Sequence, residues 1–202
     1  MGKQKQYDGK KRSKDKNKID VNKTLSSFID TNRSKHKAII LDSEELLTTK
    51  MLVKSGFKKS NIFIPNPFVF KEIKRKHQNT YNCLLSVALD DKLDNIEEEI
   101  SFAFFDFCSS LDGNDTTKIY PRKDIKSYFD KHLARDNSIF AVTISLRNRF
   151  SKNNGVCSDL NVLDSVITRN AYKNGYVAIK TPNGYGYNGM AWVIYVIKKV
   201  KR

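Results

Sequence analysis

Short runs rich in β-branched and aromatic residues alternate, from residue 37 onward, with stretches whose apolar positions recur every three or four residues. That alternation predicts βα units around a mostly parallel sheet, and argues against a helix bundle or a β-sandwich. Residues 37–42, Lys-Ala-Ile-Ile-Leu-Asp, read as a first strand that ends on an acid. Residues 43–55 read as a helix carried by Leu46, Leu47, Met51 and Leu52, with Asp42 and Glu45 in capping-box relation and Gly56 as its stop. Residues 61–67 give a second strand closed off by Pro65 and Pro67, and 68–77 a short basic helix.

Further along, 81–88 reads as a weaker strand, or a strand with a turn, and 90–99 as an acidic helix. Residues 100–108 are almost continuously apolar, as a central parallel strand covered on both faces requires, and they too carry an acid, Asp106, near the end. A polar loop over 109–117 leads to a helix at 122–133 built on Ile125, Tyr128, Phe129 and Leu133. A strand at 138–145 follows, then a helix at 159–173 through Leu160, Leu163, Val166, Ile167 and Ala171, with Gly175 as its stop. Residues 176–180 and 190–200, joined by a glycine-rich connection, read as an antiparallel hairpin. No segment repeats at a fixed period, which excludes a solenoid or a propeller.

Composition adds an appendage and a charge. With 202 residues, 39% of them hydrophobic, the chain can bury one substantial core. Residues 1–23 hold nine Lys/Arg against three Asp and almost nothing apolar, so they read as a disordered basic tail. Residues 24–36 read as a linker or short helix, and 37–202 as the folded domain. The formal charge of +15 makes nucleic acid the first partner to expect and an anionic membrane surface the second. No apolar run reaches the roughly 18 to 20 residues of a membrane span, and the N-terminus has no apolar signal core. Cys83, Cys108 and Cys157 form no CxxC pair and are odd in number, so a disulfide framework is not expected. The expectation is an intracellular protein of a reducing compartment, in cytoplasm, nucleus or virion. His36, His77 and His132 have no partner at metal-ligand spacing, and neither a phosphate-binding Gly-Lys-Ser/Thr loop nor a Gly-x-Ser-x-Gly elbow is present.

The order of elements, the acids Asp42 and Asp106 at two strand ends and the terminal hairpin together resemble the class I methyltransferase-like family, over about residues 37–200. The resemblance implies an α/β, Rossmann-like, mostly parallel sheet flanked by helices and closed by a C-terminal antiparallel hairpin. It also implies S-adenosylmethionine as cofactor, with Asp42, Thr48, Thr49 and Asn66 around it and Asp106 near the substrate as a catalytic acid or base. Two positions depart from the family: the stretch Asp42-Ser43-Glu44-Glu45-Leu46-Leu47-Thr48-Thr49 holds no glycine, and the second strand ends in Pro65-Asn66-Pro67 where an acid is usual. Two functions therefore stand side by side. One is a methyltransferase acting on nucleic acid; the other is a catalytically inactive methyltransferase-like module that binds or packages nucleic acid or serves in assembly.

Several residues are candidates for the nucleic-acid contact, each with a structural alternative. Phe107, next to Asp106, could stack on a base or belong to the core. Arg147 and Arg149 follow the strand at 138–145 and could clamp phosphates or form a solvated loop. Tyr185 and Tyr187 could stack on unpaired bases or pack back on the sheet. Lys10, Lys11 and Arg12 form a cationic arm suited to phosphates, or a solubilising extension.

Overall fold

The computed structural model describes residues 16–29, 34–93, 96, 99–107, 109–113, 115, 117–145, 156–182, 186–187 and 190–200; the side chains of 16–18, 156–159 and 186–187 are not among those described. Its strands are β1 (Lys37–Ile40), β2 (Ile62–Pro65), β3 (Thr80–Tyr81), β4 (Ile100–Asp106), β5 (Ala134–Ser145), β6 (Tyr176–Lys180), β7 (Gly186–Tyr187) and β8 (Met190–Lys199). They form one sheet in the order β3-β2-β1-β4-β5-β8-β6, with β7 beside β8. The pairs β1 with β2, β2 with β3, β1 with β4 and β4 with β5 are parallel. Strand β8 runs antiparallel between β5 and β6. This is the expected Rossmann-like arrangement with its closing hairpin.

Alternation along β4 explains why the sheet is central. Ala103 and Phe105 face one core, which α5 (Pro121–Asp130) closes with Ile125, Tyr128 and Phe129 and α6 (Val156–Lys173) with Leu163, Ile167 and Ala171. Phe102 and Phe104 face the other, against Leu25 of α1 (Lys16–Ser27), Leu52 of α2 (Leu47–Lys54) and Ile73 of α3 (Phe70–Lys74). Each residue from Ile100 to Phe105 is buried, as a strand covered on both faces must be. The glycines at the ends of two helices adopt left-handed backbone, φ 96° at Gly56 and 78° at Gly175, which is why glycine stops those helices.

Four elements differ from the sequence expectation. Residues 16–23, read as the end of the tail, belong to helix α1, because Val21, Leu25 and Phe28 recur on one face and reach the core; Leu25 is fully buried. Residues 1–15 lie outside the described residues. The helix expected from residue 43 begins at Leu47, for a reason given below. The stretch 81–88 is strand only at Thr80–Tyr81 and then turns into α4 (Leu85–Val87), followed by a π-helical turn over Ala88–Lys92. Leu85, Leu89 and Leu93 lie four residues apart and are all buried, a helical period that a strand over 81–88 would not give. Strand β5 starts four residues early at Ala134, with its register shifting against β4 between Ile100 and Phe102 and Asn137 at φ 56°.

Candidate functional site

The chain leaves β1 towards β2 and β3 on one side, then returns to lay β4 against β1 and β5 beyond it. That reversal opens a crevice beyond the carboxyl ends of β1 and β4, the position where ligands bind open α/β sheets. Three of the residues singled out in the sequence, Asp42, Thr48 and Asp106, line it, and Asn66 is tied to its edge through the Asp42 carbonyl.

Asp42 follows β1 and is 7% exposed. Its Oδ1 accepts the Ser43 N–H at 2.9 Å; its Oδ2 accepts both the N–H and the hydroxyl of Thr49, each at 2.8 Å. Thr49 is the third residue of α2, whose own N-cap, Leu46, supplies no side-chain cap. The carboxylate therefore does a capping residue's work from seven positions away, satisfying an orphan N–H and placing negative charge at the positive end of the helix. Residues 43–46 turn to let it reach, which is why α2 starts late. Glu45 takes no part in a capping box with Asp42. At the end of that turn Leu46 has φ 54° and ψ 41°, left-handed backbone that favours glycine and costs a branched side chain about 1–2 kcal/mol.

Asn66, after β2, is equally committed. Its Nδ2 donates to the Asp42 carbonyl at 2.9 Å, and its Oδ1 accepts the N–H groups of Phe68 at 2.9 Å and Val69 at 3.3 Å. This is an Asx-type turn that ties β2 to the end of β1.

Asp106 ends β4 opposite Thr143 of β5. Together with Asp42, Ser43, Leu47, Thr48, Phe104 and Thr143 it lines a cavity, and Val21 and Asn22 of α1 complete the lining. The free volume is about 20 Å³. A water molecule needs at least roughly 10–15 Å³ measured this way, so the cavity has room for one. The Oδ1 of Asn22 is buried and has no hydrogen-bond partner, which suits a water bridging it to the polar wall. Thr49 is turned into the Asp42 contact and does not line the cavity.

The sequence did not single out α1 as part of this site. Its signal was the spacing of Val21, Leu25 and Phe28, hidden by the surrounding lysines.

Phe107 is not offered to a base. It is 2% exposed, and its ring sits edge-on to Phe105 with centroids 5.9 Å apart, inside the core. The core alternative raised by the sequence holds because the strand's apolar alternation runs one residue past Asp106. Lys10, Lys11, Arg12, Arg147, Arg149 and Tyr185 lie outside the described residues. Tyr187 falls in β7, paired with Met190, and its side chain is outside them too. His77 is buried and bonds the Ile62 carbonyl through Nε2 at 2.7 Å. Among the described residues no group of three or more His, Cys, Asp or Glu side chains could hold a metal, and no helix is long and apolar enough to cross a membrane.

Sheet order, closing hairpin and crevice define the class I S-adenosylmethionine-dependent methyltransferase-like fold, in a divergent form. Solved structures agree. Trm1 from Pyrococcus horikoshii, in complex with S-adenosyl-L-methionine, superposes with a TM-score of 0.62 at 11% identity over 89% of this chain and 54% of that one. This chain thus spans about half of Trm1. The "Putative methyltransferase yhhF from Escherichia coli" gives 0.55 at 10% identity, covering 94% of this chain and 89% of that chain. A "putative methylase" from Haemophilus influenzae gives 0.53 at 10% identity, covering 93% and 98%. No protein-family model matches the sequence, and a search of curated proteins found no match.

The residues at the crevice do not fit S-adenosylmethionine. Sites for ligands of that size enclose roughly 300–1,000 Å³, against about 20 Å³ here. Asp42 and Asn66 spend their polar atoms on the protein's own backbone and on Thr49, and Leu46 stands where the backbone geometry calls for glycine.

Proposed function

We propose that this chain is a methyltransferase-fold protein that works as a nucleic-acid-binding module and makes no catalytic use of its cofactor position. The closed crevice carries the reading: a cavity of about 20 Å³, walled by α1, whose first acid is consumed in capping α2. The formal charge of +15 supports the choice of partner, since an excess of this size concentrates polyanions at the surface whatever their sequence.

Calorimetric titration with S-adenosylmethionine tests the catalytic half of the proposal. No heat at millimolar cofactor is expected. Heat that disappears in Asp42→Ala would instead establish a cofactor site. Association with a generic oligonucleotide tests the other half: affinity falls steeply with added salt, and an absent or salt-independent interaction overturns it.

A second reading, a methyltransferase acting on nucleic acid, draws on one observation: Asp42, Thr48 and Asp106 converge on a single crevice at the sheet's switch point. It requires α1 to leave the crevice. A variant that shortens the wall, Val21→Ala, would then bind cofactor more tightly than the parent; the module reading expects no binding in either.

A further inference from the structure

The sheet has two ends, and they are built differently. At one end β3 is only two residues long, Thr80–Tyr81, too short to offer another chain a ladder. At the other end β6 runs five residues, Tyr176–Lys180, paired with β8 in an unbroken antiparallel register. It holds no proline and no bulge, and among the described residues no strand pairs with its outer side. An edge of this kind presents a row of main-chain N–H and C=O groups that a further strand can take up.

The ladder with β8 fixes which groups face outward. The Thr181 N–H donates to the Ile194 carbonyl at 2.9 Å and the Val200 N–H to the Gly175 carbonyl at 2.8 Å, so residues 175, 177, 179 and 181 direct their main-chain groups at β8. Ala178 and Lys180, at the alternate positions, direct theirs away from it. The side chains divide by the same period. Tyr176 belongs to the core that α6 closes, whereas Val177 and Ile179 stand on the other face of the sheet, 46% and 45% exposed, with Ile179 beside Val196 of β8. They form an apolar strip that β8 covers on one side only.

We infer that β6 pairs antiparallel with β6 of a second copy of this chain, joining the two sheets into one across a twofold axis at Ala178. The strand is its own complement. A twofold at Ala178, its middle residue, sets the outward N–H and C=O of each Ala178 against the other's, so that the two exchange hydrogen bonds, and brings Lys180 opposite Tyr176 of the second copy. The same register lays Val177 against Ile179 of the second copy, twice over, with Cα atoms about 4.5 Å apart, which takes both exposed side chains out of water as cross-strand pairs. Charge favours this edge over the rest of the surface. Positions 159–182 carry three Lys/Arg against two Asp, whereas 50–76 carry eight Lys/Arg against Glu72 alone and 1–23 nine against three Asp. Two chains of +15 repel least where each is most nearly neutral. The one charge on the strand, Lys180, is neutralised within its own chain by Asp164 at 2.5 Å. Lys198 lies one strand back, opposite Val177; the two copies of it are three strand spacings, about 14 Å, apart, beyond the screening length of about 8 Å. The inference does not depend on the nucleic-acid reading given above.

The test is sedimentation velocity on the nuclease-treated full chain over a series of protein and salt concentrations. The parent should sediment as a dimer at micromolar concentration, and the dimer should persist or tighten as salt screens the repulsion between two cationic chains. Val177→Lys/Ile179→Lys sets like charges opposite each other at both cross-strand positions and should raise the dimer dissociation constant about tenfold or more. Val177→Glu/Ile179→Glu should do the same, and mixing the two variants should restore a dimer containing one chain of each, because opposite charges then meet in this register. Recovery on mixing also shows that both variants are folded. Ala178→Pro removes an N–H that points away from β8, a place where an edge strand tolerates proline, and should give a monomer that melts close to the parent. Val53→Lys/Val87→Lys adds the same charge at exposed apolar positions away from the edge and should leave the dimer intact. A parent that stays monomeric overturns the proposal, and so does a dimer that dissolves as salt rises, which is one bridged by a polyanion. A dimer that survives Val177→Lys/Ile179→Lys or Ala178→Pro, or that Val53→Lys/Val87→Lys weakens equally, overturns it as well. If the lysine and glutamate variants each fold as monomers and fail to pair on mixing, the register is wrong and the proposal falls.

Discussion

The hydroxyl of Thr49 donates to Asp42 Oδ2 at 2.8 Å, on the same oxygen that holds the Thr49 N–H. In the family the chain resembles, the acid after the first strand belongs to a cofactor site; here one of its oxygens holds the turn at Ser43 and the other caps helix α2. The pair should behave as a structural unit. Thr49→Val, which removes the hydroxyl and keeps the shape, and Asp42→Asn, which removes the charge, should each cost about 1–2 kcal/mol of unfolding free energy. Their double mutant should cost clearly less than the sum, because both changes break the same contact. Urea denaturation of the four proteins measures this, and strict additivity would show that the contact contributes little.

Phe107 offers a clean distinction between core and contact surface. Its ring is 2% exposed and packed on Phe105. Phe107→Ala should therefore destabilise by about 3–5 kcal/mol, while Phe107→Leu, which keeps most of the volume, should fold and bind oligonucleotides as the parent does. A loss of nucleic-acid affinity in folded Phe107→Leu would return the ring to the binding surface.

Sheet order was legible in the sequence because each strand of the core declares itself locally: Ala38, Ile39 and Ile40 in β1 and the apolar run of β4 leave no other pattern. Asp42, Asn66 and Asp106 stand out in the sequence because acids and amides at strand ends are conspicuous. What those residues do was not legible. The Asp42 to Thr49 contact depends on a turn at residues 43–46 that passes through left-handed backbone at Leu46, and nothing in Leu itself announces that conformation. Nor could local pattern show that α1 walls the crevice, since the burial of Val21 and Leu25 is decided by elements far along the chain.

Helix α1 makes its own prediction, because the sequence assigned part of it to a tail. Leu25 is fully buried among residues of the core that includes Phe102, Phe104 and Leu52. Leu25→Ala should cost about 2–5 kcal/mol, whereas Thr24→Ala, at a neighbouring position whose hydroxyl bonds only the Asp20 carbonyl of the same helix, should cost under about 1 kcal/mol. Equal effects would mean that the helix does not dock.

Acidity tests the opposite face. Asp124 lies in the first turn of α5, 3% exposed, and burial, reinforced by the nearby charge of Asp90, pushes its carboxyl up to about 7 from the usual 3.8. Between about pH 4 and pH 7 the folded protein holds a proton that the unfolded chain has released, so this group makes stability fall as pH rises through that window. His77 acts in the other sense. Burial depresses its pKa below 6.5, outweighing the Ile62 hydrogen bond, so the unfolded chain binds the proton first and stability falls as pH drops below about 6.5. The two effects oppose each other near pH 6, and single variants separate them. Asp124→Asn should raise the melting temperature at pH 8 relative to the parent, with little change at pH 5, where the parent's carboxyl is already neutral in the fold. His77→Gln should flatten the decline on the acid side without changing the alkaline one. Thermal melts of the three proteins from pH 5 to pH 8 decide it; parallel pH profiles for parent and Asp124→Asn would mean that Asp124 is ionised in the fold.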